Sequence, residues 1–221
     1  MTKKKIVFCD FDGTITVNDN IIAIIKHFNP PGWEEITNRI LSTELSIQEG
    51  VGTLFRLLPT SLKKEVVQYG INNAKIRPGF AEFLAYCKEH DIEFYVTSGG
   101  IDFFVYPILS AFNIAEDHIY CNGSDFTGEH IEITWPHACD KDCPNGKCGM
   151  CKTSIIRTYS PDEYERILIG DSVTDFEGAK IADVVFSRSN LTTKCKELNV
   201  ASTEYETFFD IIEALQQKGN D

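Results

Sequence analysis

Residues 6–14 read Ile6-Val7-Phe8-Cys9-Asp10-Phe11-Asp12-Gly13-Thr14. A short apolar run rich in β-forming residues delivers two carboxylates, Asp10 and Asp12, into a turn that contains a glycine. Successive strand residues face opposite ways, so Asp10 and Asp12 are expected on one face and Phe11 on the other. Two anions that close raise each other's pKa unless a cation holds them ionised. Mg²⁺, a hard ion that takes carboxylate, carbonyl and water oxygens, is the natural partner. A carboxylate beside such an ion can attack phosphorus and form an aspartyl-phosphate. On its own, the stretch also fits a strand end whose acids merely cap a turn.

Three further stretches repeat the design of a strand that ends in chemistry. The strand expected over Ile92–Val96 runs into Thr97-Ser98-Gly99-Gly100, where a hydroxyl and two unencumbered amides suit phosphate oxygens. Lys152 precedes the helical run Ser154–Tyr159 and supplies a cation. Ile167–Gly170 reads as a third buried strand, followed by Asp171 and Asp175. Open parallel α/β sheets build their sites at the carboxyl edge of the strands, where all of these residues would meet. Taken singly, Ser98 is a turn hydroxyl, Lys152 a surface lysine and Asp171 a helix cap.

In these four motifs the chain resembles the haloacid dehalogenase superfamily, and the resemblance spans essentially its whole length. It implies that Asp10 is the nucleophile and Asp12 the general acid/base. Asp10, the backbone carbonyl of Asp12, and Asp171 would hold Mg²⁺, with Asp175 in support, while Ser98, Gly99 and Lys152 bind phosphate. Physical chemistry agrees with those roles. An anionic nucleophile approaching a phosphate dianion needs positive charge beside it, which Mg²⁺ and Lys152 supply. One carboxyl group at Asp12 can protonate a leaving alkoxide and later deprotonate water.

The 221 residues allow one domain with a sizeable insertion. Hydrophobic content of 43% with 24% charged residues is that of a soluble globular protein. Met1–Lys5 is basic, but the apolar run after it is too short for a signal peptide, so a cytoplasmic chain without a membrane partner is expected. A net charge of −12 argues against nucleic acid, whose phosphates demand a basic face. A small phosphorylated metabolite remains compatible, because the positive charge it needs is local.

Repeated β–α alternation predicts an α/β fold with a doubly wound parallel sheet. Residues 15–78 interrupt it with a helical pattern too long for a loop. Helices are expected over Asn20–Phe28 and Trp33–Leu41, then from Ser46, with Glu49 in the capping-box position, and from Ser61. Residues 1–14 and 79–221 are thus expected to form the core, and 15–78 a helical cap over the site. The resemblance makes it a C1-type cap, which closes over small molecules and excludes water. A hairpin is expected near Ile131–Trp135, with turns at Asn122-Gly123 and Thr127-Gly128.

Four of the eight cysteines crowd into Cys139-x₃-Cys143-x₄-Cys148-x₂-Cys151, with His137 just upstream. Three states fit this spacing: four thiolates on a tetrahedral soft ion such as Zn²⁺, plain reduced thiols, or disulfides. Only Cys148/Cys151 has the usual knuckle spacing. A bound ion would stiffen the loop that places Lys152. Cys9, Cys87, Cys121 and Cys195 read as small apolar fillers.

Ser98–Phe103 and the cap look most like the phosphoserine-phosphatase branch of the superfamily. That branch carries a glutamate nine residues after its nucleophile and a cap arginine for an amino-acid substrate. Here those positions are Asp19 and, by alignment, Gly52, which disfavours such a substrate. Thr16–Ile22, Asp102–Pro107, Trp135-Pro136-His137 and the cysteine cluster instead resemble the bacterial methionine-salvage phosphatases of that branch. These act on 2-hydroxy-3-keto-5-methylthiopentenyl-1-phosphate, whose apolar tail suits cap residues such as Ile21, Ile25, Phe28, Trp33, Leu54 and Phe55, although helix packing accounts for most of these. The alternatives are a phosphatase of phosphoserine, phosphocholine or a sugar phosphate and, in another class, a non-catalytic interaction module organised by the cysteine loop. Oligomeric state is not legible.

Overall fold

A computed structural model describes residues 3–218; Met1 and Thr2 of the basic start, and residues 219–221, lie outside that range. In β1 (Lys4–Cys9), every residue from Ile6 to Cys9 is fully buried. Val7 and Cys9 pack into one apolar layer, and Ile6 and Phe8 into the other. A strand covered on both faces belongs in the middle of a parallel sheet. There it pairs in parallel with β2 (Glu93–Ile101) on one side and β5 (Tyr164–Gly170) on the other. With β3 (Ile119–Asp125), β4 (Glu132–Thr134), β6 (Val184–Ser187) and β7 (Thr203–Glu204), the sheet runs β4-β3-β2-β1-β5-β6-β7. Only β4 is antiparallel, returning along β3.

Helices cover both faces, as a doubly wound fold requires. On one side lie α5 (Phe80–Glu89), α6 (Asp102–Leu109) and α10 (Phe208–Lys218), whose Phe80, Phe83, Phe104 and Phe208 are essentially without exposure. Each such ring contributes roughly 1.5–3 kcal/mol by leaving water. On the other side Ile156 of α7 (Lys152–Arg157), Phe176 of α8 (Phe176–Ala179) and Leu191 of α9 (Ser189–Glu197) pack on Ile6, Phe8 and Leu168.

Between β1 and β2 run α1 (Asn20–Phe28), α2 (Trp33–Leu41), α3 (Ile47–Arg56) and α4 (Lys63–Asn73). The Asp19 carboxylate caps α1 by accepting from the Ile22 amide at 2.9 Å, and Asn29, in a left-handed conformation, ends it before Pro30. Ser46 and Glu49 form the expected capping box on α3. The fourth helix does not start at Ser61: a 3₁₀ turn, Thr60–Leu62, comes first and no side chain caps α4. Thr60 is drawn elsewhere, its amide and hydroxyl both donating to the Gly128–Glu129 backbone. Ile24, Leu54, Phe55 and Val66 of these helices join the same apolar layer as Phe104. Among the described residues no helix is long and apolar enough to cross a membrane.

One expected turn is corrected. Asn122-Gly123 lies inside β3, and the hairpin reverses only after Asp125. Asn122 is kept in the strand because its side chain has a partner on β2: Nδ2 donates to the Gly99 carbonyl at 2.7 Å.

Candidate active site

The carboxyl ends of β1, β2 and β5 meet with the first turn of α7. Asp10 prolongs β1 by one ladder bond, its amide donating to the Ile169 carbonyl at 2.9 Å. The chain then leaves the strand through Asp12 and Gly13, at φ +76°. Asp12 Oδ1 accepts from the Asn20 amide at 2.9 Å and Asn20 Nδ2 at 2.7 Å, at the start of α1. Gly13 is required twice, by its positive φ and because a Cβ there would overlap the Asp171 carboxylate.

β2 carries an irregularity at the matching depth. Thr97 pairs with Tyr120 and Ile101 with Asn122, so four steps on β2 span two on β3 and Ser98-Gly99-Gly100 bulge from the ladder. The Gly100 amide donates to Ser98 Oγ at 2.8 Å. A Cβ on Gly99 would meet nothing within 4 Å, whereas one on Gly100 would stand 2.9 Å from Asp12 Oδ2. The bulge thus presents open space at Gly99 and closes against Asp12 at Gly100.

Lys152, the first residue of α7, is 6% exposed, and its Nζ lies 2.8 Å from Asp10 Oδ1 while also touching Asp175 Oδ1. Asp175 is fully buried, and its other oxygen accepts from the amides of Asp171 and Ser172 at 3.2 and 3.1 Å. The carboxylates of Asp10, Asp171 and Asp175 have oxygens within 4.8 Å of one another. Burial pushes Asp10 well above the usual carboxylate range and Asp175 adds to it, with Lys152 offsetting only part. Burial, with Asp19 nearby, raises Asp12 to about 7, and burial beside Asp175 raises Asp171 to about 6. Burial alone would lower the Lys152 pKa, but Asp10 and Asp175 outweigh it and hold the ammonium charged.

Four carboxylates around one buried ammonium leave an excess of negative charge. The donors facing it are all oxygen, so the arrangement fits a hard divalent cation and not a soft one. A separate cavity of about 630 Å³, lined by residues such as Leu84, Ile92, Phe112 and His118, opens at the amino ends of β2 and β3 and holds none of these groups.

A family profile for haloacid dehalogenase-like hydrolases matches residues 7–180, from β1 through the Asp171/Asp175 pair. The chain is a haloacid dehalogenase-like hydrolase. It is 58% identical over 217 residues to the 2-hydroxy-3-keto-5-methylthiopentenyl-1-phosphate phosphatase of Brevibacillus brevis, covering 98% of this chain and 97% of the relative. The like-named protein of Geobacillus kaustophilus is 54% identical, with 98% of each chain covered. Among solved structures, a phospho-aspartyl intermediate analogue of phosphoserine phosphatase superposes with a TM-score of 0.69 at 18% identity. It covers 96% of this hydrolase and 99% of its own chain, a likeness of fold.

Every expected site residue, Asp10, Asp12, Ser98, Gly99, Lys152, Asp171 and Asp175, stands at this one sheet edge of the haloacid dehalogenase-like core. The sequence did not single out Asn20, which orients Asp12, or Arg77. The buried Arg77 guanidinium donates to the carbonyls of Gly13 and Thr14, each at 2.7 Å, and to Glu206 O at 3.2 Å. It fixes the turn that follows β1 and Asp10, and Arg188 Nη1 donates to the same Gly13 carbonyl at 3.3 Å.

The cysteine loop holds no disulfide: all eight cysteines are free, which corrects that alternative. Cys143 Sγ and Cys148 Sγ stand 3.7 Å apart, far beyond a bond of about 2.05 Å. His137 contributes its backbone, accepting from the Cys151 amide at 3.0 Å, while its ring packs edge-on against Tyr120.

Proposed function

We propose that the protein is a Mg²⁺-dependent phosphomonoester hydrolase that works through an aspartyl-phosphate on Asp10. One observation carries the reading: the Asp10 carboxylate is held at a sheet edge by buried Lys152, facing a glycine bulge with open space and a second carboxyl, Asp12, poised at a pKa of about 7. Asp10 attacks phosphorus and the bond to the substrate oxygen breaks. Asp12 protonates that leaving oxygen, then takes a proton from the water that hydrolyses the acyl phosphate and frees inorganic phosphate. A group near neutrality suits both transfers. Lys152 offsets the repulsion between Asp10 and the phosphate dianion, and Ser98 with the Gly99 amide orients it. Asp10, the Asp12 carbonyl and Asp171 would hold Mg²⁺, which supplies further positive charge when bound.

The substrate we infer is 2-hydroxy-3-keto-5-methylthiopentenyl-1-phosphate, on the strength of relatives that match end to end at more than half identity. Residues 15–78 act as the cap that keeps water out. Ile25, Leu54 and Phe55 are fully packed, so among the expected lining residues the half-buried Ile21, Phe28 and Trp33 are those with surface left to meet an apolar tail. The reading includes no nucleic-acid or membrane partner, and reduced surface thiols suit the cytoplasm.

Turnover of the enol-phosphate, made in situ, should exceed that of phosphoserine, phosphocholine and sugar phosphates by roughly 10²-fold or more in kcat/KM. Equal rates across the panel would discard the substrate. No release of phosphate from any of them would discard the phosphatase and favour the interaction module.

A further inference from the structure

The loop from Cys139 to Cys151 contains no helix or strand. Between Cys139 and Gly149 its only sulfur or apolar side chains apart from Pro144 are the cysteines; the rest are Asp, Lys, Asn and Gly. Met150 and Cys151 are buried at its end, but from Cys139 to Gly149 hydrophobic burial contributes little to its compactness, which another staple would supply. The chain nevertheless winds tightly, with Gly146, Lys147 and Gly149 all at positive φ, so that four sulfurs separated in sequence converge.

The Sγ atoms of Cys139, Cys143, Cys148 and Cys151 all lie within 4.8 Å of one another, and the Cys143–Cys148 pair is 3.7 Å apart. Four thiolates at about 2.3 Å from a tetrahedral ion stand roughly 3.8 Å from each other, so this spacing is that of an ion's ligand shell. Donors of the kind that steady bound thiolates are in place: the Cys148 amide points at Cys139 Sγ at 3.4 Å, and Thr153 Oγ1 lies 3.3 Å from Cys151 Sγ.

We propose that these four cysteines bind one Zn²⁺ in a closed, structural site, distinct from the all-oxygen cluster at Asp10. Four sulfur ligands leave no open position for substrate, so the ion holds shape and does no chemistry. The shape it holds joins two parts of the molecule. Cys151 adjoins Lys152. Asp140 grips Arg157 of α7 with a two-pronged pair at 2.7 and 2.5 Å, so both ends of the loop are tied to the helix that carries the lysine. On its outer side Lys147 O accepts from the Gln48 amide at 3.1 Å and Lys147 Nζ pairs with Glu49, both in the first turn of α3. The site is a rivet between the interposed helices and the helix start that presents Lys152.

The full-length protein, purified without added zinc or chelator, should carry about one equivalent of zinc by elemental analysis. Cys143→Ser and Cys148→Ser should fall below about a tenth of that, while Cys195→Ala, on the buried face of α9, should keep it. Protein grown with Co²⁺ should show the intense visible absorption of tetrahedral thiolate-bound cobalt, a readout independent of whether the serine variants fold. Metal-free protein with wild-type melting behaviour, iron in place of zinc, or zinc retained by the Cys148 variant would each overturn the site.

Discussion

Asp10 and the Asp171/Asp175 pair come from distant parts of the chain, brought together just beyond the ends of β1 and β5 that the sheet fixes; Cys139, Cys143, Cys148 and Cys151 come from one short loop that contains no strand or helix. The carboxylates are buried or half-buried and stand against a buried lysine, whereas three of the four thiols are partly open to solvent. Their dependence on a cation differs accordingly. The sheet holds the carboxylates in place whatever their charge, so an ion there changes electrostatics. The loop is tied at its margins by Asp140 with Arg157 and Lys147 with Glu49, and the proposed ion would add the link among the thiols themselves, so an ion there would act on conformation.

The sharpest break of that contrast is Asp10→Asn. An amide is a very poor nucleophile, so turnover should drop by about 10⁴-fold or more while circular dichroism and the melting transition stay near wild type. Loss of folding in this variant would mean that the carboxylate cluster is as structural as the thiol loop.

A medium effect separates charge from shape. Asp12 and Asp171 have folded pKa values near 7 and 6, above the ordinary 3.8, so the native state binds more protons than the unfolded state between these limits. Their contribution to stability in metal-free protein is therefore greatest at low pH and is lost as pH rises through about 6 to 7. Added Mg²⁺ should raise the melting temperature more at about pH 7.5 than at about pH 4.5, because only the ionised carboxylates need it. An equal Mg²⁺ shift at both pH values would discard this account of the site.

The smallest effect tests whether the loop stands alone. Lys147→Ala removes a solvent-exposed pair with Glu49, and such pairs add little, so the melting temperature should move by less than about 1 °C and the loop should keep its zinc. A large drop, or release of the metal, would show that the loop leans on α3 rather than on its own ligands.

The sequence disclosed what depends on local pattern. β1 was legible because a buried central strand must be apolar on both faces, and α3 because Ser46 and Glu49 cap each other within one turn. Asp10, Ser98 and Asp171 could be placed at one sheet edge because each was expected at or just after a strand's end, whereas Lys152 comes there on the first turn of α7. What was hidden depends on partners far away in sequence. The hold of Asn20 on the Asp12 carboxylate was not legible, because it exists only once α1 packs back on the turn after β1. Asn122-Gly123 has the composition of a turn, yet the Gly99 carbonyl holds it in β3. Arg77 gives no sign in its neighbours that it will clasp the backbone at Gly13 and Thr14, because that contact exists only once the core has closed.

The central place of β1 also bears on how the chain is made. It leaves the ribosome well before both strands it pairs with, which begin only at Glu93 and Tyr164. At ribosomal rates of about 5–20 residues per second, on the order of ten seconds separate its emergence from that of β5. Throughout that interval Ile6-Val7-Phe8-Cys9 is an apolar strand with open edges, the kind of segment on which nascent chains aggregate. Lys3, Lys4 and Lys5 stand directly before it, and Asp10 and Asp12 directly after. Charges in those positions act as gatekeepers against strand-to-strand association. The two aspartates thus protect the newborn polypeptide well before there is a closed sheet for them to serve.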